Sequence, residues 1–419
     1  MTGTAAVIAA GLLLSACGSD GGGTASSTSA SGGGKGKTCI DSSGSSIKLG
    51  LLNSLSGTMA ISEVTVSNSL HMAVDEINKA GGIAGKQIQI VQEDGASDPT
   101  TFANKAKKLI EQDCVAAVFG GWTSSSRKAM LPVFEADDSI LYYPVQYEGL
   151  ESSHNIFYTG ATTNQQILPA LEWLKTNKNI KNLYLVGSDY VFPRTANSEI
   201  KAWAAANGVS IIGEDYVPLS SDADPTTMVN KVKEAKPDAV FNTLNGDANV
   251  KFFTQLKAAG VTAEQTPVVS VSIGEEEVAG VGVQNLVGQY TAWNYYMTVD
   301  SPANTKFVAD YKAAFPKDGK TSDPMEAAYT SMYLYKAAVE KAGSFDPEKV
   351  IAASGGVSFA APEGTVTING ENHHIAKTFL MGQVNAQGGI DVVGSSDGPI
   401  QPDPYLCADT WWKDTTGHC

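Results

Sequence analysis

The hydrophobic pattern from Ile47 onward alternates between two periods. The apolar runs "IKLGLLNSL", "KQIQIVQED" and "CVAAVFGG" predict buried strands. Between the first two, "VTVSNSLHMAVDEINKAGG" places its apolar residues on one helical face, and Gly81 is positioned to end that helix in the left-handed conformation. In the next helix, "DPTTFANKAKKLIEQD", Asp98 is the expected N-cap and Pro99 the first helical residue. Strand, helix and strand at this spacing predict a parallel sheet with helices on both faces.

A second series of the same kind begins near residue 180. The segments "KNLYLVGSDY", "SIIGEDYVPL", "DAVFNTLNG" and "TPVVSVSI" predict strands, and "TANSEIKAWAAANG" and "NVKFFTQLKAAG" predict helices between them. Two amphipathic helices without intervening strands follow, "SPANTKFVADYKAAFP" and "DPMEAAYTSMYLYKAAVEKAG", and then two short β segments, "GTVTING" and "AKTFLMGQV". This order predicts an α/β protein of two doubly wound parallel-sheet lobes joined by a multi-crossing hinge, with the carboxyl ends of both sets of strands lining one cleft.

The predicted division of the chain follows from that order. Lobe 1 comprises 47–160 plus 291–356, lobe 2 comprises 161–290 plus 357–400, and 401–419 form a C-terminal tail. Before lobe 1, residues 18–46 are rich in Gly, Ser and Thr and predict an unfolded tether.

Residues 1–17 predict a lipoprotein signal peptide. Their apolar stretch is shorter than the ~20 residues that span a bilayer, and "LSAC" matches the bacterial lipobox, in which Cys17 would be lipidated. No Lys or Arg precedes Cys17, although signal peptides normally open with one, which leaves the true translation start open. The expected location is therefore extracytoplasmic, with a lipid anchor at the outer face of the cell membrane.

Charge and cysteine content restrict the partners. The net charge of −15 argues against nucleic acid and anionic membrane surfaces, which both require clustered Lys and Arg. Once Cys17 is assigned to lipid, an oxidising exterior favours pairing of the other four cysteines, for which three pairings exist. Cys407 and Cys419 would close a short loop, which leaves Cys39 for Cys114; a buried free thiol at Cys114 is the alternative.

Catalytic and metal-binding patterns are missing from the predicted cleft loops. The hydroxyl-rich "GWTSS" does not match the nucleophile elbow G-x-S-x-G. His373 and His374 are adjacent, so on a strand they would point to opposite faces and could not chelate one ion. The run Glu275–Glu277 lacks calcium-loop spacing and predicts a solvated loop or helix start. These observations predict a protein that is not an enzyme and that uses no cofactor or metal.

Several segments in order resemble one known family. "HMAVDEINKAGGIAGKQIQIVQEDGASDP", "VAAVFGGWTSSSRKAMLPVFE" and "NIFYTGATTNQQ" are similar to type 1 periplasmic binding proteins, the receptors of amino-acid and amide ABC importers. Within that family, "LYYPVQYEGLE" and "GSDYVFPRTAN" resemble the urea and short-chain-amide branch. The resemblance covers nearly the whole chain from Ile47 and implies a hinged cleft that closes on its ligand.

The resemblance also implies which side chains face that ligand. Ser124 matches the carboxylate-binding serine of branched-chain amino-acid receptors, whereas Tyr147 stands where those receptors carry a second carboxylate-binding threonine. Thr123, Ser125 and Ser126 can cap a helix from about Arg127, which is expected to be a structural or lobe-edge charge. The predicted ligand-binding residues are Trp122, Thr123, Ser124, Tyr143, Val145, Tyr147, Glu148, Tyr190, Asp247 and Ser272.

The predicted function is that of a substrate-binding lipoprotein that captures urea in the cleft by hydrogen bonds and domain closure and delivers it to ABC permease subunits. The small aromatic and hydroxyl-lined site suits a neutral amide. A receptor for acetamide, formamide or branched-chain amino acids is the alternative. An amide-sensing regulator is the alternative of another class, against which the lipobox counts.

Overall fold

The computed structural model describes residues 39–317 and 319–419. The predicted signal peptide, Cys17 and residues 18–38 of the tether lie outside the described residues. Within the described part, every helix is too short or too polar to cross a bilayer.

The first sheet has five parallel strands in the order β2-β1-β3-β4-β5. The strands are β1 (Ser46–Asn53), β2 (Gln87–Asp94), β3 (Val118–Gly120), β4 (Leu141–Tyr143) and β5 (Ile156–Tyr158). The helices between them are α1 (Ala60–Lys79), α2 (Pro99–Glu111) and α3 (Ser124–Ala136). The alternation of strands and helices is as predicted, but β5, with three residues, was not predicted.

Local sequence determines where these helices begin and end. Asp98 caps α2, because its carboxylate accepts a hydrogen bond from Thr101 N at 2.7 Å. Gly81 follows α1 with φ 105°, a conformation that L side chains rarely adopt. Both features match the sequence prediction.

The second sheet has seven strands in the order β14-β13-β10-β9-β8-β6-β7. Strands β6 to β10 run parallel, whereas β13 pairs antiparallel with β10 and with β14. The strands are β6 (Asn182–Ser188), β7 (Ser210–Val217), β8 (Ala239–Thr243), β9 (Val268–Ser270), β10 (Tyr290–Trp293), β13 (Lys377–Val384) and β14 (Ile390–Ile400). The helices are α4 (Ile167–Lys178), α5 (Val191–Asn207), α6 (Thr226–Ala235), α7 (Ala248–Ala258), α8 (Glu275–Val281) and α9 (Val283–Leu286).

The chain then returns to the first sheet. Helices α10 (Pro302–Ala314) and α11 (Asp323–Ala342) pack against α1, and α12 (Pro347–Ser354) packs against α11. The hairpin β11 (Ser358–Ala361) and β12 (Gly364–Thr367) joins the same core, which differs from the predicted start of lobe 2 at 357. Phe359 stacks on Tyr333 of α11 with ring centroids 4.7 Å apart, so the hairpin covers an apolar face of that helix.

Three chain segments connect the two sheets and are hydrogen-bonded to one another; they contain residues 159–165, residue 294 and residues 377–378. The Asn294 amide donates to Gln165 O and to Thr378 O, each at 3.0 Å. Lys377 Nζ donates to Thr159 O at 3.1 Å. The fold class predicted from the sequence is therefore confirmed, with an antiparallel edge added to the second sheet.

Two disulfides close loops of different length. Cys39 is bonded to Cys114, 75 residues away, and Cys407 to Cys419, 12 residues away. These are the two pairs expected from the sequence.

Candidate ligand-binding site

The turn after β3 brings several predicted residues to the edge of the first sheet. Gly120 has φ 132°, and a Cβ there would lie 2.2 Å from Leu52 O, so the close approach to β1 requires glycine. Thr123 then caps α3 by accepting from Ser126 N at 3.1 Å. The helix therefore starts at Ser124, three residues before the predicted position, and the Thr123 hydroxyl is used in the cap.

A buried charge cluster surrounds Ser124. The Ser124 hydroxyl donates to a Glu148 carboxylate oxygen in a short hydrogen bond. Arg127 donates from Nη1 to Ser124 Oγ at 3.1 Å, from Nη2 to Glu148 Oε1 at 3.3 Å and from Nε to Glu151 Oε1 at 2.7 Å. Lys128 Nζ contacts Glu151 Oε2 at 2.9 Å. Two cations face two carboxylates, so the cluster is formally neutral.

Of the two roles expected for Arg127, the lobe-edge charge is wrong and the structural charge is confirmed. Its side chain is 0% exposed, and its guanidinium carbon lies 4.3 Å from the Tyr147 ring centroid and 4.9 Å from that of Tyr143. Burial alone would lower the pKa of Arg127, but Glu151 and Glu148 raise it well above its ordinary value. Burial likewise opposes the charge of Glu151, yet Arg127 lowers the pKa of that carboxyl to about 2.

Tyr143 and Tyr147 form an aromatic wall of the cleft, and their hydroxyls donate hydrogen bonds within the first lobe. Tyr147 OH donates to Glu151 O at 2.8 Å, and its ring stacks on Tyr158 with centroids 5.1 Å apart. Tyr143 OH donates to Trp122 O. The Tyr147 hydroxyl thus points away from Ser124, although the sequence placed it at the ligand.

Val145 supports the same wall through its backbone. A Cβ at Gly160 would lie 2.1 Å from the Val145 carbonyl carbon, so the loop after β4 packs directly on the strand connection after β5. Val145 therefore helps to position the loop that carries Glu148.

Tyr190 faces this wall from the second sheet. It occupies the N-cap position of α5, and its ring is partly exposed although protein surrounds the hydroxyl closely. Burial raises the pKa of Tyr190 well above its ordinary value, with further contributions from Tyr143 and Glu148. This combination is expected for a side chain that lines a narrow cleft.

Loops of the two sheets meet across the cleft. Trp122 Nε1 donates to Asn245 Oδ1 at 3.4 Å. Gln146 Nε2 donates to Val271 O at 2.7 Å and to Ser272 Oγ at 3.1 Å. The space between the walls is therefore small.

A second loop contact lies beside these hydrogen bonds. A Cβ at Gly246 would lie 2.6 Å from Thr58 O, so the loop after β8 touches the loop after β1. Asp247 follows this contact and is half-buried.

The acidic run before α8 is also part of this interface. Glu275–Glu277 start a helix as predicted, but they are not solvated, since Glu275 is 1% and Glu277 4% exposed. Glu277 Oε1 accepts from Ser62 Oγ of α1 at 2.6 Å, and Glu277 Oε2 accepts from Gly274 N at 2.8 Å. They are buried because α1 and α8 pack together at this point.

Two further polar residues in the cleft were not selected from the sequence. Asn53 ends β1, and Glu63 lies in the first turns of α1; both are buried. Burial raises the pKa of Glu63 to about 8. The position of Asn53 at the end of a strand was a usable signal, whereas Glu63 carried none because acidic residues near a helix start are ordinary.

The histidine pair has a packing role in the described structure. His374 stacks on Tyr158 with centroids 4.3 Å apart, and His373 stacks on Phe157 at 4.5 Å. Across residues 39–317 and 319–419, no group of three or more His, Cys, Asp and Glu side chains could hold a metal ion.

Comparison with known proteins identifies the family. The chain is 24% identical over 349 residues to a Leu/Ile/Val-binding protein homolog 6 of Brucella suis biovar 1 (strain 1330), covering 81% of this chain and 87% of that protein. It is 25% identical over 324 residues to the Leu/Ile/Val-binding protein BraC3 of Rhizobium johnstonii, covering 74% and 83%.

Solved structures share the fold. A solute binding protein of an ABC transporter from Rhodopseudomonas palustris BisB5, in complex with 3,4-dihydroxy benzoic acid, has a TM-score of 0.77 at 23% identity, covering 86% of this chain and 99% of that one. The substrate binding protein LivJ of Streptococcus pneumoniae, in complex with isoleucine, has a TM-score of 0.73 at 22% identity, covering 85% and 100%. The model of the periplasmic binding protein domain matches residues 47–410, and the chain belongs to this family as a substrate-binding protein of the ABC-transporter type.

Proposed function

We propose that this protein captures urea, or a neutral amide of similar size, in the cleft and delivers it to the permease subunits of an ABC importer. A lipid on Cys17 would hold it at the outer face of the membrane. Family membership supports an extracytoplasmic receptor, and "YYPVQYEG" and "GSDYVFPR" support the urea and amide branch.

The hydrogen bond from Ser124 to Glu148 carries the proposal. In branched-chain amino-acid receptors the matching serine binds the ligand carboxylate, but here its hydroxyl donates to a protein carboxylate. A ligand carboxylate in that place would lie against Glu148, and like charges at such a distance repel strongly in a buried site. Arg127 offers no free positive charge, because Glu148 and Glu151 already neutralise it. The site therefore favours ligands without a carboxylate.

This argument separates the protein from its relatives of known ligand. The neighbours described above were crystallised with a benzoic acid and with isoleucine, which both carry a carboxylate. A neutral amide instead offers N–H groups to the Glu148 carboxylate and a carbonyl oxygen to a donor such as the Tyr190 hydroxyl.

Domain closure is needed for useful affinity. A ligand of four heavy atoms gains at most about −1.5 kcal/mol per atom, which corresponds to a Kd on the order of 10 µM. Nearly every polar group of such a ligand must be hydrogen-bonded when it leaves water. Contacts between the two lobes, such as the hydrogen bond from Gln146 to Val271, would bring the two walls of the cleft together around the ligand.

Calorimetric titration of the purified protein with urea, acetamide, formamide, leucine and benzoate tests the proposal. We expect binding of urea and no binding of leucine or benzoate. A preference for leucine would replace the ligand assignment by the branched-chain amino-acid alternative. Release of ammonia during incubation with urea would instead indicate hydrolysis rather than transport.

The anchor is tested separately. Mass spectrometry of protein extracted from membranes should show a diacylglyceryl group on Cys17. A full-length cytoplasmic protein without lipid would favour the amide-sensing regulator.

A further inference from the structure

Asn53 has an unusual environment for a buried amide. It is the last residue of β1 and is 0% exposed, and within the described residues its Oδ1 has no hydrogen-bond partner. Its amide N–H side faces the Glu63 carboxyl and lowers the pKa of that group against the larger effect of burial. A Cβ at Gly120 would lie 3.0 Å from Asn53 Nδ2. The amide therefore lies beside the turn that leads to Ser124.

A comparable asparagine in the second sheet shows what a structural role requires. Asn242 in β8 is also 0% exposed, but its Nδ2 donates to Asn249 Oδ1 and Ser270 Oγ, each at 3.0 Å, and its Oδ1 accepts from Leu244 N at 2.9 Å. Leaving a buried amide without partners costs roughly 2–7 kcal/mol, and most buried polar groups are satisfied. Asn53 carries part of this cost, at its Oδ1.

The polar groups around Asn53 connect it to the site described above. Glu63 is buried next to the same loop, where its Oε2 accepts from Ser54 N at 2.7 Å. Burial raises the pKa of Tyr190 well above its ordinary value, and Glu148 and Glu63 both contribute to the rise. The Tyr190 hydroxyl is therefore within electrostatic range of both carboxyl groups.

We propose that Asn53 is a specificity-determining residue that pairs with the ligand amide. Its Nδ2 donates to the ligand carbonyl and its Oδ1 accepts from one ligand NH2, as two primary amides pair with each other. The second NH2 of the ligand is then left for the Glu148 carboxylate. This inference rests on the proposed function and narrows it, because a ligand with NH2 on both sides of the carbonyl, as in urea, satisfies both partners, whereas acetamide places a methyl group against one of them.

Substitutions at Asn53 test this pairing in the full chain. Asn53→Leu keeps the volume and removes both polar atoms, and Asn53→Asp keeps the shape and removes the donor. Tyr142→Phe is the control, because Tyr142 is buried in the first core between Phe119 and Phe157. Calorimetry with urea and with acetamide gives the affinities, and thermal unfolding without ligand gives the stability.

We expect Asn53→Leu to weaken urea binding roughly tenfold or more and to bring the affinities for urea and acetamide closer together. The unfolding temperature without ligand should stay the same or rise, because an unsatisfied amide is replaced by an apolar group of similar size. Tyr142→Phe should change neither the affinity for urea nor the preference for it.

Two results would overturn the inference while leaving urea capture intact. One is wild-type affinity for urea in both Asn53 variants. The other is a lower unfolding temperature with an unchanged ratio of urea to acetamide affinity, which marks a structural residue. If Asn53→Leu does not fold, Asn53→Asp decides the question by itself. Failure of the unsubstituted protein to bind either amide would overturn the proposed function and this inference together.

Discussion

The proposed charge preference of the cleft can be tested at Glu148. Glu148→Gln removes the carboxylate that receives the Ser124 hydroxyl and leaves Arg127 paired with Glu151 at 2.7 Å. The buried cluster of Arg127, Lys128, Glu148 and Glu151 then changes from formally neutral to +1. We expect the variant to bind urea more weakly and to gain affinity for ligands with a carboxylate.

The expected gain in affinity for carboxylates can be estimated from the distances between the charges. Two like charges about 4 Å apart repel by about 4 kcal/mol at an effective dielectric constant near 20. Arg127, which contacts both Ser124 and Glu148, offsets part of this repulsion. A net gain on the order of 2 kcal/mol remains, which is roughly thirtyfold in the Kd of benzoate or leucine. Loss of a charged acceptor should weaken urea binding roughly tenfold.

Calorimetry of the unsubstituted protein and two variants measures these effects. Glu151→Gln is the matched control, because Glu151 is buried and pairs with the same Arg127 but does not contact Ser124. It should change carboxylate binding less than Glu148→Gln does. The reasoning would be refuted if Glu148→Gln bound urea normally and still rejected carboxylates, or if Glu151→Gln produced the same gain.

Further predictions concern single contacts. Ser124→Ala should weaken urea binding roughly tenfold in calorimetry, whereas the same change at half-buried Ser125 should have no effect; equal losses would remove Ser124 from the site. Glu63 has its pKa raised to about 8, so the folded state holds a proton that the unfolded state loses above its ordinary pKa of 4.5. The free energy of unfolding should therefore fall between about pH 5 and 8, and thermal unfolding of Glu63→Gln should show a smaller fall. Reduction of Cys39–Cys114, which closes a loop across 75 residues, should lower the free energy of unfolding by about 4 kcal/mol in calorimetry; an unchanged value would show that the reduced chain is already restrained there.

The elements with a clear hydrophobic period were predicted from the sequence. Strand β1 has eight residues and helix α1 has twenty, so their hydrophobic periods are clear. Strand β5 was missed because it has only three residues, and it is a strand because it pairs with β4. Strands β3 and β9 are equally short, but their residues stand within longer apolar runs. The edge strand β14 was missed because most of it is exposed and it contains Gly, Ser and Pro.

The candidate site was predicted where strand ends determine position. Ser124, Glu148 and Tyr190 follow strands, so parallel-sheet geometry alone brings them to the cleft. Asn53 also ends a strand, but its unpartnered Oδ1 is visible only in three dimensions. The orientation of Tyr147 depends on Glu151 and His374, and the latter lies 227 residues away, which no local pattern reports.

The error at Arg127 changes the reason for expecting a neutral ligand. A charged residue on a helix normally predicts a solvated position, because burial of an unpaired charge is very costly. Arg127 is buried because Glu148 and Glu151, 21 and 24 residues later, return to it on the loop after β4. Its positive charge is therefore fully used within the protein, and the hydroxyl that it positions at Ser124 points to Glu148. Arg127 is paired with two carboxylates and is not free to hold an anion, whereas the Glu148 carboxylate can accept N–H groups of a ligand. The proposed preference for a neutral amide thus rests on a buried ion pair, and Glu148→Gln, with Glu151→Gln as its control, tests it directly.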